Sequence, residues 1–166
     1  MLKIISLILV LFMNFYPVYP GFAQENRATQ NTNLASDFTL KDFNGKNYRL
    51  RNYKGKVILL NFMTTWCPEC KSTIPYLKSI HTKFNQAGLI VLNISVMQNE
   101  EKVAAFSKKY SLPYPTLLDR DGKIAKDYGV VGVPVKVLID RESRIICWNC
   151  PTLDKIIENQ FAGKSK

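Results

Sequence analysis

The sequence predicts an α/β domain in which helices cover both faces of one mixed β-sheet. Two continuous apolar runs, KVILLNFM (56–63) and GLIVLNISVM (88–97), have the length and composition of strands buried on both faces. Helical periodicity lies between and after them. Near the C-terminus, PVKVLID and SRIICWN flank Arg141-Glu142 as an antiparallel hairpin that feeds a last helix. Strand–helix–strand alternation followed by a hairpin and a closing helix is the pattern of a mixed sheet.

The chain of 166 residues suffices for one domain with its own core. Its first residues stand apart from that core. MLKIISLILVLFMNFYPVYPGFAQ carries Lys3, an apolar run from Ile4 to Met13, and small residues at Gly21 and Ala23, the layout of a secretory signal peptide. The alternative is an uncleaved anchor, but Asn14, Pro17 and Pro20 cut the run short of the ~20 apolar residues of a membrane span. Residues 1–23 are therefore assigned as a leader, and the polar, aperiodic residues 24–36 as a flexible linker. The folded domain is expected over residues 37–162, with residues 163–166 as a tail.

Within the domain, DFTLKDFNGKNYRL places two alternating runs around Asn44-Gly45, a hairpin signal. Residues 56–63 form the first buried strand. Ile74, Leu77, Ile80 and Phe84 then recur at three and four residues, one apolar face of a helix. The second buried strand is followed by NEEKVAAFSKKY, with acids at its start and lysines at its end, as the helix dipole favours. YPTLLD reads as a short strand and DGKIAKDYG as a short helix closed by Gly129. In PTLDKIIENQF, residues Leu153, Ile156, Ile157 and Phe161 share a face.

Twenty-three basic and thirteen acidic side chains give a net charge of +10. They are scattered, with no basic block interleaved with aromatics, so a nucleic-acid partner is excluded and a soluble monomer expected. The four cysteines, Cys67, Cys70, Cys147 and Cys150, form two C-x-x-C pairs that follow the leader. Export shifts the expectation for such pairs from zinc toward thiol–disulfide chemistry.

Cys67 stands where a buried strand ends and a helix begins, and Pro68 suits the first helical position because it has no N–H to leave unpaired. Free N–H groups at that helix start favour a thiolate on Cys67. Cys70, one turn further in, is expected to be less exposed. The roles divide accordingly: Cys67 attacks a substrate disulfide and Cys70 resolves the mixed disulfide. Glu69 beside the thiolate opposes ionisation and biases the pair toward reduction. The competing assignment is two inert buried thiols.

The stretch DFTLKDFNGKNYRLRNYKGKVILLNFMTTWCPECKSTIPYL resembles the thioredoxin-like proteins of the TlpA/ResA group, within the wider redoxin family. The resemblance runs from about Asp37 to Phe161, and its most specific pieces are NYKGKVILLNF, TWCPEC followed by Pro75, and YGVVGVPVKVLID. It implies a thioredoxin fold with an N-terminal β-hairpin extension and a cis Val133–Pro134 peptide facing the C-x-x-C. It also implies that Trp66, Val133 and Pro134 meet an extended substrate peptide. The implied activity is disulfide exchange without metal or other cofactor, acting on disulfide-containing proteins and recharged by a membrane dithiol protein. Periplasmic reduction of apocytochrome c or copper-site cysteines is a duty the resemblance suggests.

Asn61 stands where thioredoxin itself has a buried Asp and the TlpA/ResA group often has Asn, while Thr73 replaces the Glu of some members and Met63 the usual Trp. Both familiar carboxylate proton carriers are thus absent. Two other functions compete. A peroxidase motif of the form Pro-x-x-x-Thr-x-x-Cys finds Thr64 in place but Leu60 where Pro belongs. A four-cysteine metal carrier would use both pairs.

For the second pair, a hairpin turn near Arg141 and Glu142 sets Pro134 opposite residue 149 or 150, so Cys150 is expected beside Pro134. Extended residues three apart are ~10 Å from one another, too far for a disulfide unless Asn149 turns the chain. A structural or unpaired set, a second redox pair and a four-thiolate metal site stay open. His81, the only histidine, is expected to pack near the apolar helix face, and Trp148 is expected to pack.

Overall fold

The structure, a computed structural model, describes residues 33–162. The expected leader and tail lie outside these residues. The strands are β1 (Thr39–Asp42), β2 (Asn47–Arg49), β3 (Val57–Met63), β4 (Leu89–Val96), β5 (Thr116–Asp119), β6 (Val135–Ile139) and β7 (Ile145–Trp148). The α-helices are α1 (Pro68–Ser72), α2 (Ile74–Phe84), α3 (Glu100–Lys109), α4 (Lys123–Asp127) and α5 (Leu153–Phe161), with a 3-10 turn at Leu50–Tyr53.

The seven strands form one mixed sheet in the order β2-β1-β5-β4-β3-β6-β7. β3 and β4 run parallel, as do β4 and β5, while β6 lies antiparallel to β3 and to β7. Every residue of β3 is buried, because the strand is central and covered on both faces. Its side chains alternate between two cores. Ile58, Leu60 and Phe62 pack with Ile124, Ala125 and Tyr128 around α4, whereas Val57 and Leu59 pack with Leu77, Ile80 and Phe84 of α2 and Leu153 and Ile157 of α5. Each such fully buried side chain contributes roughly 1.5–3 kcal/mol of transfer free energy.

The N-terminal hairpin forms around Gly45, whose φ of 80° suits a residue without a Cβ. The 74–84 helix buries Ile74, Leu77, Ile80 and Phe84 as the periodicity predicts. It is separate from α1, however. Pro75 has no N–H to donate back to the preceding turn, so the chain breaks at Thr73 and restarts. Asn99 caps α3 by accepting the Lys102 N–H at 3.1 Å, ahead of Glu100 and Glu101.

Two expectations are corrected. The linker assigned to residues 24–36 ends earlier: Leu34 bridges Arg144, Ala35 N–H donates to Ser143 O, and Ile145 N–H donates to Asn33 O. Composition missed this because the edge of the β6–β7 hairpin supplies the backbone partners. The hairpin register also differs. Ile139 pairs with Ile145 but Leu138 with Cys147, so one extra residue, Ile146, bulges from the ladder. Asn149 N–H consequently meets Lys136 O at 2.7 Å. The β6–β7 ladder ends at Val137–Trp148 and the chain bends at Asn149, so Cys150 is not paired beside Pro134.

Candidate active site

β3 and β4 deliver their C-terminal ends to the same edge of the sheet, and the loops that follow build the site. After β3 the chain turns at Thr64–Trp66 into α1. Gln98, just past β4, holds this turn. Its Oε1 accepts from Thr65 N–H at 2.7 Å and from Ser95 Oγ at 2.9 Å, and its Nε2 donates to Thr65 Oγ1 at 2.8 Å. Gln98 carries no motif, and only the parallel pairing of β3 with β4 brings it here.

Cys67 is the N-cap of α1 and Pro68 is its first residue. The Cys67 Sγ accepts the Cys70 N–H at 3.1 Å. The Cys67 thiol reaches the Val133 carbonyl at 3.7 Å. Val133 and Pro134 are joined by a cis peptide in the loop before β6. Cys67, Trp66 and Val133 line a cavity of about 450 Å³ together with Thr64, Val96, Met97, Val130, Val131 and Gly132. Trp66 is 69% exposed, Met97 71% and Val131 fully exposed, so an apolar rim surrounds the sulfur. Met97 and Val131 carry no sequence signal for this position.

Cys70 lies behind Cys67, 2% exposed, among Met63, Ile74 and Phe106. Burial pushes its thiol from the ordinary 9.0 up to about 12, helped by its hydrogen bond with Cys67. Glu69 is exposed on α1, next to Cys70 and two residues from Cys67.

Behind the pair, Asn61 Nδ2 donates to Asn93 Oδ1 at 2.6 Å, Asn93 Nδ2 to Thr116 Oγ1 at 3.3 Å, and Ser107 Oγ to Thr116 Oγ1 at 3.3 Å. No member of this network carries a titratable proton. The buried carboxylates are committed elsewhere. Asp119 accepts the Ile124 and Ala125 N–H groups at the start of α4, and Asp42 and Asp140 each close a turn. Leu60, the position where the peroxidase motif needs Pro, is buried within β3.

Cys147 and Cys150 are joined in a disulfide with Cα atoms 5.7 Å apart, while Cys67 and Cys70 are free thiols. Asn149 makes the required turn with φ 52°. Two of the four thiolates needed by a four-cysteine metal site are thereby committed to each other. Trp148 is 45% exposed rather than packed away, its Nε1 donating to Tyr128 O at 3.2 Å. His81 stacks edge-on against Tyr114, and burial lowers its pKa.

A strand-to-helix corner, an N-cap thiol in an apolar cavity and a second thiol one turn behind it are the geometry of dithiol exchange. The family model described as "AhpC/TSA family" matches residues 32–147. The chain belongs to this family. The thiol-disulfide oxidoreductase ResA of Geobacillus thermodenitrificans is 31% identical over 144 residues, covering 87% of this chain and 83% of that protein. ResA of Bacillus subtilis is 30% identical over 131 residues, covering 79% and 73%. The crystal structure of the thioredoxin domain of a thiol-disulfide oxidoreductase from Bacteroides vulgatus superposes with a TM-score of 0.71 at 24% identity, over 77% of this chain and 95% of that one. The fold is thus thioredoxin-like, and the chain is a thiol–disulfide oxidoreductase of the ResA type.

Proposed function

We propose that this oxidoreductase reduces protein disulfides outside the cytoplasm, with Cys67 as the attacking sulfur and Cys70 as the resolving one. The observation that carries the assignment is the asymmetry of the pair: both sulfurs are buried, but Cys67 lines an apolar-rimmed cavity, while Cys70 does not and burial pushes its thiol up to about 12. Cys67 thiolate attacks one sulfur of the substrate disulfide, and the other leaves as a thiolate. The mixed disulfide removes both the charge and the hydrogen bond through which Cys67 keeps Cys70 protonated. Cys70 then gives up its proton to the departed substrate thiolate or to water and attacks Cys67 Sγ. The second substrate thiolate departs, and the Cys67–Cys70 disulfide remains for an external dithiol, expected to be a membrane protein, to reduce.

Trp66, Val133 and Pro134 form the surface on which an extended substrate segment lies, with the Val133 backbone available to pair with it. Pro68 presets the start of α1, and Glu69 favours the reducing direction. Export follows from the leader-like residues 1–23; among the described residues no helix is long and apolar enough to cross a membrane. Reduction of haem-binding or copper-site cysteines fits a reductant of this kind. The protein acts as a monomer and needs no metal or other cofactor. Purified protein with dithiothreitol is expected to accelerate insulin reduction, and Cys67→Ser to abolish the acceleration. An unchanged rate in that variant would show that Cys67 is not the nucleophile.

A further inference from the structure

We propose that Cys147–Cys150 is a second thiol–disulfide exchange centre, entered at Cys150 Sγ and reduced by the Cys67–Cys70 dithiol. The proposal rests on the assignment of Cys67 and Cys70 as the active dithiol.

The two pairs share a local design. In each, the second cysteine's N–H points at the first cysteine's sulfur: Cys70 to Cys67 at 3.1 Å and Cys150 to Cys147 at 3.2 Å. In the second pair that N–H is a ready donor for the thiolate Cys147 becomes when the bond opens. The two sulfurs differ in access. Cys147 is 3% exposed beneath α5, whereas Cys150 is only partly buried at the corner between β7 and α5. An attacking thiolate therefore meets Cys150 first and expels Cys147.

A purely structural role explains the bond poorly. A ring closed between residues three apart restrains the unfolded chain less than any longer loop would. What the bond could hold is already held: α5 is anchored by buried Leu153 and Ile157, by Lys83 paired to Glu158, and by Phe161 stacked on Phe84. The corner itself is lightly tied, since Pro151 has no N–H and the Cys150 N–H goes to sulfur. The last ladder bond before it is Asn149 N–H to Lys136 O.

The sheet brings the pairs to one place. Cys147 packs with Leu77 and Cys70 with Ile74, so both pairs lie on the α2 side of the sheet. Asn149, just before Cys150, donates its N–H to Lys136 O on the neighbouring strand at 2.7 Å, and adjacent strands lie ~4.8 Å apart. Lys136 is three residues from Val133, whose carbonyl meets the Cys67 thiol at 3.7 Å. Movement of the lightly tied corner, or approach of a second copy, closes the remaining gap.

In the exchange, Cys67 thiolate bonds to Cys150 Sγ, and the electron pair of the broken bond passes to Cys147. Cys147 takes up the proton that Cys70 releases. Cys70 thiolate then bonds to Cys67 Sγ and expels Cys150 as a thiolate. Two electrons have moved: Cys67–Cys70 is oxidised and Cys147/Cys150 is a dithiol with its reactive sulfur at the surface, able to reduce another protein disulfide.

Cys70→Ser leaves Cys67 without its resolving partner, so the exchange stops at the first step. Acid-quenched, alkylated protein is expected to yield a Cys67–Cys150 linked peptide with Cys147 alkylated. The link in monomers places the exchange within one chain and the link in dimers between copies; either supports the proposal. Cys147–Cys150 intact with Cys67 wholly alkylated overturns it. In Cys67→Ser/Cys70→Ser, graded dithiothreitol redox buffers are expected to open Cys147–Cys150 while circular dichroism stays native. Opening only together with unfolding also overturns it. Insulin turnover by the wild type reads the Cys67 dithiol separately, so a missing link with turnover intact sinks this proposal alone.

Discussion

If Cys70 ionises near 12 rather than 9.0, its thiolate fraction at pH 8 falls from roughly one in ten to roughly one in ten thousand. Alkylation proceeds through the thiolate, so Cys70 should react roughly a thousandfold more slowly than an ordinary cysteine before any steric protection is counted. The assay is a timed iodoacetamide pulse on fully reduced protein, followed by peptide mass mapping of Cys70. Burial also blocks the reagent, since Cys70 is only 2% exposed. The pH dependence separates the two effects: steric cover scales the rate equally at every pH, whereas a raised pKa moves the inflection. Between pH 7 and 10 the Cys70 rate should climb about tenfold per unit without levelling. In Cys67→Ser the charge of Cys67 is gone, but desolvation, the largest cause, persists, so the inflection stays above 9.0. Levelling near or below 9.0 in both proteins would refute the asymmetry on which the division of roles rests.

The same thiol couples to stability. Its folded pKa is raised above the unfolded value, so its contribution is complete below about pH 9 and is lost as pH rises toward 12. Urea midpoints of the reduced protein, referenced to Cys70→Ala, should show a loss on the order of 1 kcal/mol by pH 10; a flat difference would contradict the burial argument. Asn61→Asp removes the donor that meets Asn93 Oδ1 at 2.6 Å and places a carboxylate in a buried network. The expected cost at pH 7 is ~1–3 kcal/mol, shrinking toward pH 4 as the buried carboxyl protonates and can donate again; equal urea midpoints at both pH values would count against this. Gln98→Ala deletes two hydrogen bonds to Thr65 in the turn before Cys67 and one to Ser95 on β4, and should cut insulin reduction roughly tenfold. Full activity in that variant would show that the turn holds itself.

Most secondary elements could be read from the sequence because their signals are local. Pro68 after Cys67, the all-apolar 57–63 run and the Asn99-Glu100-Glu101 start each describe a backbone state set within a few residues. The two thiols were legible for the same reason, since four consecutive residues at a strand-to-helix corner place them. Gln98, Met97 and Val131 were not. They follow different elements and reach Cys67 only because β4 lies parallel to β3 and the 130–133 loop folds back over the corner. The hairpin register failed by one residue because a bulge at Ile146 depends on cross-strand packing, which turn chemistry does not report.

By itself the sequence determined that two strands would be buried, that a C-x-x-C would open a helix, and that no buried carboxylate would stand at position 61. These follow from side-chain chemistry and periodicity, which act over a few bonds. Tertiary structure decided the asymmetry between Cys67 and Cys70. Both sulfurs sit in one cluster with Met63, Ile74 and Phe106, but only Cys67 also lines a cavity built from three separate loops. It also decided that Asn149 turns the chain so that Cys147 and Cys150 meet. Burial and cross-strand distance belong to groups far apart in the chain, and only the closed sheet sets them.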